Sequence, residues 1–151
     1  MSLEQKLLED LKTAMKSRNE LETSVLRMLK SQLMLKKTEK EGVKELSDEV
    51  VTEVFAAYGK KIAESVEQFR AGHRDDLVER TEAELAVIRR YLPEPASEEQ
   101  VRAVIAEVAA AVGAAGPQDM GKVMGPSMAR LKGRADGGLV SRLVREHLAG
   151  K

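Results

Sequence analysis

The 151-residue sequence contains no cysteine and no tryptophan, and only 3% of it is aromatic. Without thiols there is no disulfide framework, zinc–thiolate site, iron–sulfur cluster or cysteine nucleophile. With so few aromatic rings, a core has to be assembled from Leu, Val, Ile, Ala and Met, the filling of packed helical layers. The longest apolar run, VAAAVGAAG from Val108 to Gly116, falls well short of the ~20 residues that span a bilayer. The opening MSLEQKLLEDLK has no apolar h-region and carries Glu4, Glu9 and Asp10, which argues against a targeting peptide. These absences predict a soluble cytoplasmic protein with no membrane partner.

Charge is abundant and balanced, 25 Lys and Arg against 25 Asp and Glu. The balance is uneven along the chain. From Pro117 onward seven Lys and Arg face Asp119, Asp136 and Glu146, a net +4, and the preceding residues carry −4. A basic tail on an acidic body points the tail toward a polyanion.

Helical periodicity dominates, with no strand-like alternation of useful length, so the expected fold class is all-α. Ser2 and Gln5 form a capping box for a first helix with a buried stripe of Leu3, Leu7, Leu11 and Ala14/Met15. A second helix, about 20–41, carries Leu21, Val25, Met28, Leu29 and Leu33 inward, with Gly42 as its left-handed terminator. Ser47 caps a third, with Val51, Phe55, Tyr58, Ile62, Val66 and Phe69 inward and Gly72 as its stop. The fourth starts near Asp75 and runs through Leu77, Thr81, Leu85 and Ile88 to Tyr91. Together they suit an antiparallel helical bundle over residues 1–92. The segment LPEPAS, with two prolines, marks a linker at 93–96. A smaller helical domain follows over 97–151, its helices shorter and richer in Ala and Gly. Ser97 and Gln100 open the fifth helix, the sixth runs from Pro117 to about Leu131, and the last from about Gly137 to Ala149.

Two stretches of the C-terminal domain stand out. On the sixth helix Gly121, Gly125 and Ala129 recur every four residues beside Lys122, a strip nearly bare of side chains. Glycine costs a helix about 1 kcal/mol relative to alanine, so two at this spacing imply close approach of another backbone. A neighbouring helix packed into the strip is the plainer reading, and a sugar–phosphate backbone is the sharper one. Pro126 should kink or divide this helix, because it offers no N–H to the carbonyl of Lys122. In LKGRADGG, Leu131 to Gly138, Gly133 fits a left-handed helix end and Asp136 fits the cap of the next helix. Lys132 and Arg134 flank that turn, and Arg142 and Arg145 follow on the last helix. A solvated basic face and a phosphate grip are both open readings of these four.

Other candidates are weaker. His73 and His147 lie far apart in different predicted domains, so neither metal ligation nor general-base catalysis is expected. Asp75 and Asp76 are read as compensation of a helix N-terminus. Arg27 and Lys30 share a helix flank and are expected to form an ion pair with another helix. No nucleophile, base and oxyanion donor assemble, and no cofactor is expected.

Four ordered motifs, SVLRMLK (Ser24 to Lys30), RDDLVER followed by YLPE (Arg74 to Glu94), DMGKVMG (Asp119 to Gly125) and KGRADGGLV (Lys132 to Val140), resemble the YqeY family over essentially the whole chain. The part after Pro93 also resembles the tail domain of the B subunit of the tRNA-dependent aspartyl/glutamyl amidotransferase, through Gly121 to Met124 and Lys132 to Asp136. The resemblance implies two helical domains, the second like one that contacts tRNA, with Lys122, Lys132 and Arg134 at motif positions. The family label of carbon–nitrogen ligase, with glutamine as amido donor, implies a catalytic domain that has no counterpart in this chain. The leading expectation is an accessory module for tRNA or another structured RNA, gripping phosphates with Lys122, Lys132, Arg134, Arg142 and Arg145. A protein-interaction adaptor in translation or tRNA amidation is the alternative, and an amidotransferase in its own right comes last.

Overall fold

A computed structural model describes residues 1–150. Seven α-helices and one short 3₁₀ turn make up its regular structure, with no strand among the described residues. The chain separates into two compact units, Met1–Leu92 and Pro93–Lys151.

In the first unit, α1 (Leu3–Lys16), α2 (Glu20–Lys37), α3 (Asp48–Ala71) and α4 (Asp75–Arg89) form two helical hairpins packed together. Local signals set most boundaries. The Ser2–Gln5 capping box opens α1, Asn19 caps α2 through the Glu22 N–H, and Ser47 caps α3 through the Val50 N–H. Leu7, Leu11, Leu26, Leu29, Leu33, Val51, Phe55 and Ile88 fill the interior. Phe55 meets Tyr91 edge to face, 5.7 Å between centroids. The Tyr91 hydroxyl donates to Asp10, and burial followed by that carboxylate pushes the phenol well above its ordinary pKa.

Two features differ from expectation, and the end of α3, stopped by Gly72 as expected, carries an unusual residue. α2 ends at Lys37 with Thr38 as its cap, four residues before the expected end, and Gly42 takes its positive φ of 78° in the following loop. The inward positions beyond Leu33 are lysines, so no burial sustains another turn, and Lys37 instead reaches across to Glu4, whose carboxylate also accepts the Leu46 N–H at 3.0 Å. At the end of α3 the left-handed residue is His73 (φ 57°), one place after Gly72 (φ −84°). His73 and Arg74 donate their N–H groups to Arg70 and Phe69, a Schellman closure with a histidine where glycine is usual. Arg18 (φ 57°) fills the same role between α1 and α2, with Arg18 and Asn19 donating to Met15 and Ala14. Finally, Met15 and Met28, expected inward, are 50% and 45% exposed, because Ala14, Val25 and Leu29 already occupy the inward positions.

The second unit packs α5 (Glu98–Val112), α6 (Met120–Arg130) and α7 (Gly137–Leu148) around Val101, Ile105, Val108, Val123, Leu131, Val140, Leu143 and Val144. Met120, Met124 and Met128 pack against this cluster from one side of α6. The Ser97–Gln100 capping box starts α5 and Gly113 (φ 67°) ends it. Pro117–Asp119 forms a 3₁₀ turn before α6. Pro126 neither divides nor ends α6, which is assigned as one helix through it. Pro126 lies on the exposed side of α6, so the Lys122 carbonyl that loses its helical N–H is not enclosed by the core.

Candidate nucleic-acid interface on the C-terminal unit

α6 has two unlike faces. Val123 and Ser127 point inward and are buried, and Gly121, Lys122, Gly125, Pro126 and Ala129 point outward. A Cβ built on Gly121 or Gly125 would meet no atom within 4 Å. No neighbouring helix of this unit therefore covers the strip, and packing within the unit does not account for the two glycines. What remains is a stretch of helix whose backbone is reachable from outside. Pro126 adds a carbonyl, that of Lys122, which no N–H in the helix can satisfy four residues on.

Lys122 stands at the start of this strip with its side chain 68% exposed and a long 3.6 Å contact to Asp119. Asp119 in turn accepts the Ala115 N–H at 2.8 Å. That bond, and after it the charge of Lys122, hold the Asp119 carboxyl below its ordinary pKa. The lysine is tethered loosely and its head remains in water.

The turn after α6 is built as its residue types imply. Gly133 adopts φ 75°, and the Asp136 carboxylate accepts the Gly138 N–H at 3.0 Å to cap α7. Arg134 donates from Nε to the Glu94 carbonyl at 3.1 Å, and its own carbonyl accepts the Ala96 N–H at 2.8 Å. One edge of the Arg134 guanidinium is thus fixed to the segment before α5, and Lys132 is exposed beside it. Lys122 lies in the first turn of α6 and Lys132 two residues beyond its end, so the two cations stand toward opposite ends of the helix.

The two arginines of α7 behave differently. Arg142 is held by Glu146 at 3.2 Å and Glu98 at 3.7 Å, and Arg102 bonds the same two carboxylates at 2.9 Å each. This four-membered ring ties α7 to the start of α5, and Arg102, ahead of Arg142, pulls Glu146 below its ordinary pKa. Arg145 is exposed, with no ion pair among the described residues. Arg130, another cation of the basic tail, is engaged by Glu107 at 2.6 Å. Ion pairing within the unit therefore consumes part of the charge excess that the linear sequence suggests. The partners Glu98 and Glu107 lie before Pro117 in the chain and after it in no count of the tail, which is why the excess looked larger.

The fold and this surface define a small two-unit helical protein whose terminal unit exposes a bare helical strip between basic residues. The Yqey-like protein family model matches residues 4–148, and the chain belongs to the YqeY family. It is similar to a protein of Pyrenophora tritici-repentis named altered inheritance of mitochondria protein 41, mitochondrial, at 28% identity over 97% of this chain and 81% of that protein. A protein of the same name from Lachancea thermotolerans is 31% identical over 68% of this chain and 55% of its own length. Both relatives are named as mitochondrial, which overturns the expectation of a cytoplasmic protein. That expectation rested on missing targeting signals, and the packing residues of a helical domain hold no record of compartment. No described helix is long and apolar enough to cross a membrane.

Proposed function

We propose that the C-terminal unit is an accessory RNA-binding module that tracks a ribose–phosphate backbone along α6. The observation that carries this reading is the uncovered Gly121–Gly125 strip with Lys122 exposed at one end and the Lys132–Arg134 turn at the other. Without Cβ atoms in the way, a sugar–phosphate chain can approach the helix backbone, as phosphate-positioning contacts require. Cations toward opposite ends of α6 suit a ligand that carries several phosphates. The Lys122 carbonyl, which Pro126 deprives of its usual helical donor, is an acceptor suited to a ribose 2′-hydroxyl, a group that DNA lacks. No aromatic side chain occurs after Tyr91, so base stacking contributes nothing and binding follows backbone shape. Arg145 and Lys122 supply mobile charge, whereas Arg142 serves the α5–α7 contact.

The test is binding of the full chain to total tRNA across a salt series. Lys132→Ala/Arg134→Ala should flatten the log–log slope by about two. Arg142→Ala should leave the slope unchanged, and duplex DNA of equal charge should bind more weakly. Identical slopes in the wild type and the double variant would reject the reading. A peptide helix bound in the strip, insensitive to salt, would favour an adaptor instead.

A further inference from the structure

Seven large apolar residues are exposed among the described residues, and five of them lie in α1 or α2. Leu8 and Met15 stand one heptad apart on α1, and Met28 and Leu35 one heptad apart on α2, with Met34 beside Leu35. Met15 and Met28 line one open groove of about 580 Å³, together with Arg18, Arg27 and Glu20 among others. In SVLRMLK, Val25, Leu26 and Leu29 are core, and Ser24, Arg27, Met28 and Lys30 point out. Packing of the bundle therefore explains only half of that motif.

The cations of this face are unspent. Lys12, Lys16, Arg18 and Arg27 form no ion pair among the described residues, and neither does Lys30 on the far flank of α2, although Arg27 and Lys30 were expected to. Two acids, Glu9 and Glu20, are exposed on the same hairpin without an ion pair, so positive charge is in excess. Arg18 is also held in the left-handed region, which a non-glycine residue rarely adopts, at the rim of the groove.

From this combination we infer that the α1–α2 face docks an acidic amphipathic helix of a partner protein. Methionines and leucines spaced over two helical turns accept the apolar stripe of a helix, and Met adapts to irregular knobs. The flanking Arg and Lys complement Glu or Asp on its shoulders. A second copy of the chain would set the same excess of cations against itself. RNA would leave the methionines without apolar cover, and a flat lipid surface would not fill a groove between two helices.

The experiment selects displayed 18-residue peptides, the length of α2, against the full chain. Their core positions are Leu or Met at helical spacing and their shoulders are randomised among Glu, Gln and Lys. Enrichment of Glu-shouldered helices is expected, with binding of the synthesised winner weakened at least about tenfold by Met28→Glu. Arg18→Glu/Arg27→Glu should reverse the preference to Lys-shouldered peptides, with the circular dichroism spectrum unchanged. Lack of enrichment, indifference to shoulder charge, or binding that survives Met28→Glu would overturn the inference. So would capture by phosphatidylglycerol vesicles, or self-association, lost in the same Met28→Glu variant.

Discussion

The two units leave different surfaces open once their ion pairs are made. In the C-terminal unit Arg102, Arg130 and Arg142 are committed to carboxylates of the same unit, and what stays open is a bare strip of backbone with Lys122 beside it. In the N-terminal unit Lys36, Lys37, Arg70 and Arg90 are likewise paired, and what stays open is the α1–α2 face, where Arg18 and Arg27 stand beside exposed Met side chains. One surface suits a ligand that brings its own backbone close, and the other suits a ligand that buries side chains. A single chain thus presents two chemically distinct faces, consistent with a module that joins two different molecules.

The sharpest way to probe the contrast is through the cores that hold each face. Phe55→Ala removes a fully buried ring and its edge contact with Tyr91, and should cost α3 about 3–5 kcal/mol of amide protection. The second core has no aromatic side chain, so its comparable loss is Leu143→Ala, at about 2–5 kcal/mol in the α7 amides. If either substitution cost less than about 1 kcal/mol, the core assigned to that unit would be wrong.

The units should also differ at the extremes of pH. The Tyr91 pKa is raised by burial and by Asp10, so its contribution is full below the ordinary tyrosine value near 10 and fades as pH rises beyond it. Glu146 and Asp119 have lowered pKa values, so their contributions are full above the ordinary carboxylate range near 4 and are lost as pH falls through their folded values. Urea melts should show alkaline loss in α1–α4 that Tyr91→Phe abolishes, and acid loss in α5–α7 that Glu146→Gln reduces. The acid effect will be the smaller, because the ring around Glu146 is open to solvent. Loss at the same pH in both units would erase this distinction.

Much of this architecture follows from local sequence signals. Ser2, Ser47, Ser97 and Asp136 are capping side chains that act within three residues, so their helices could be placed from the sequence alone. The errors came where an outcome depends on distant partners. Met15 and Met28 sit at the edge of an apolar stripe, and only the third dimension decides that Ala14 and Leu29 take the inward places. Arg142 read as a ligand-facing cation until Glu98, forty-four residues away in sequence, was brought to it. The glycine strip was recognised for its spacing, but whether anything covers it depends on where α5 and α7 pack. His73 shows the converse limit: Gly72 ends α3 as expected, but nothing local announced that the left-handed residue would be the histidine after it. His73→Gly should therefore stabilise α3–α4 by about 0.5 kcal/mol, relief of left-handed strain less the entropy of glycine, measurable as a shift in urea midpoint.

The most direct trial of the bare strip is Gly121→Leu/Gly125→Leu, assayed for tRNA affinity and for stability in parallel. Nothing in the protein opposes side chains at these positions, and each substitution raises helix propensity, so stability should hold or rise by about 1 kcal/mol. RNA affinity should nevertheless fall at least about tenfold, because the leucines occupy the space of the approaching backbone. Unchanged tRNA affinity in a folded double variant would contradict the central role given to the strip.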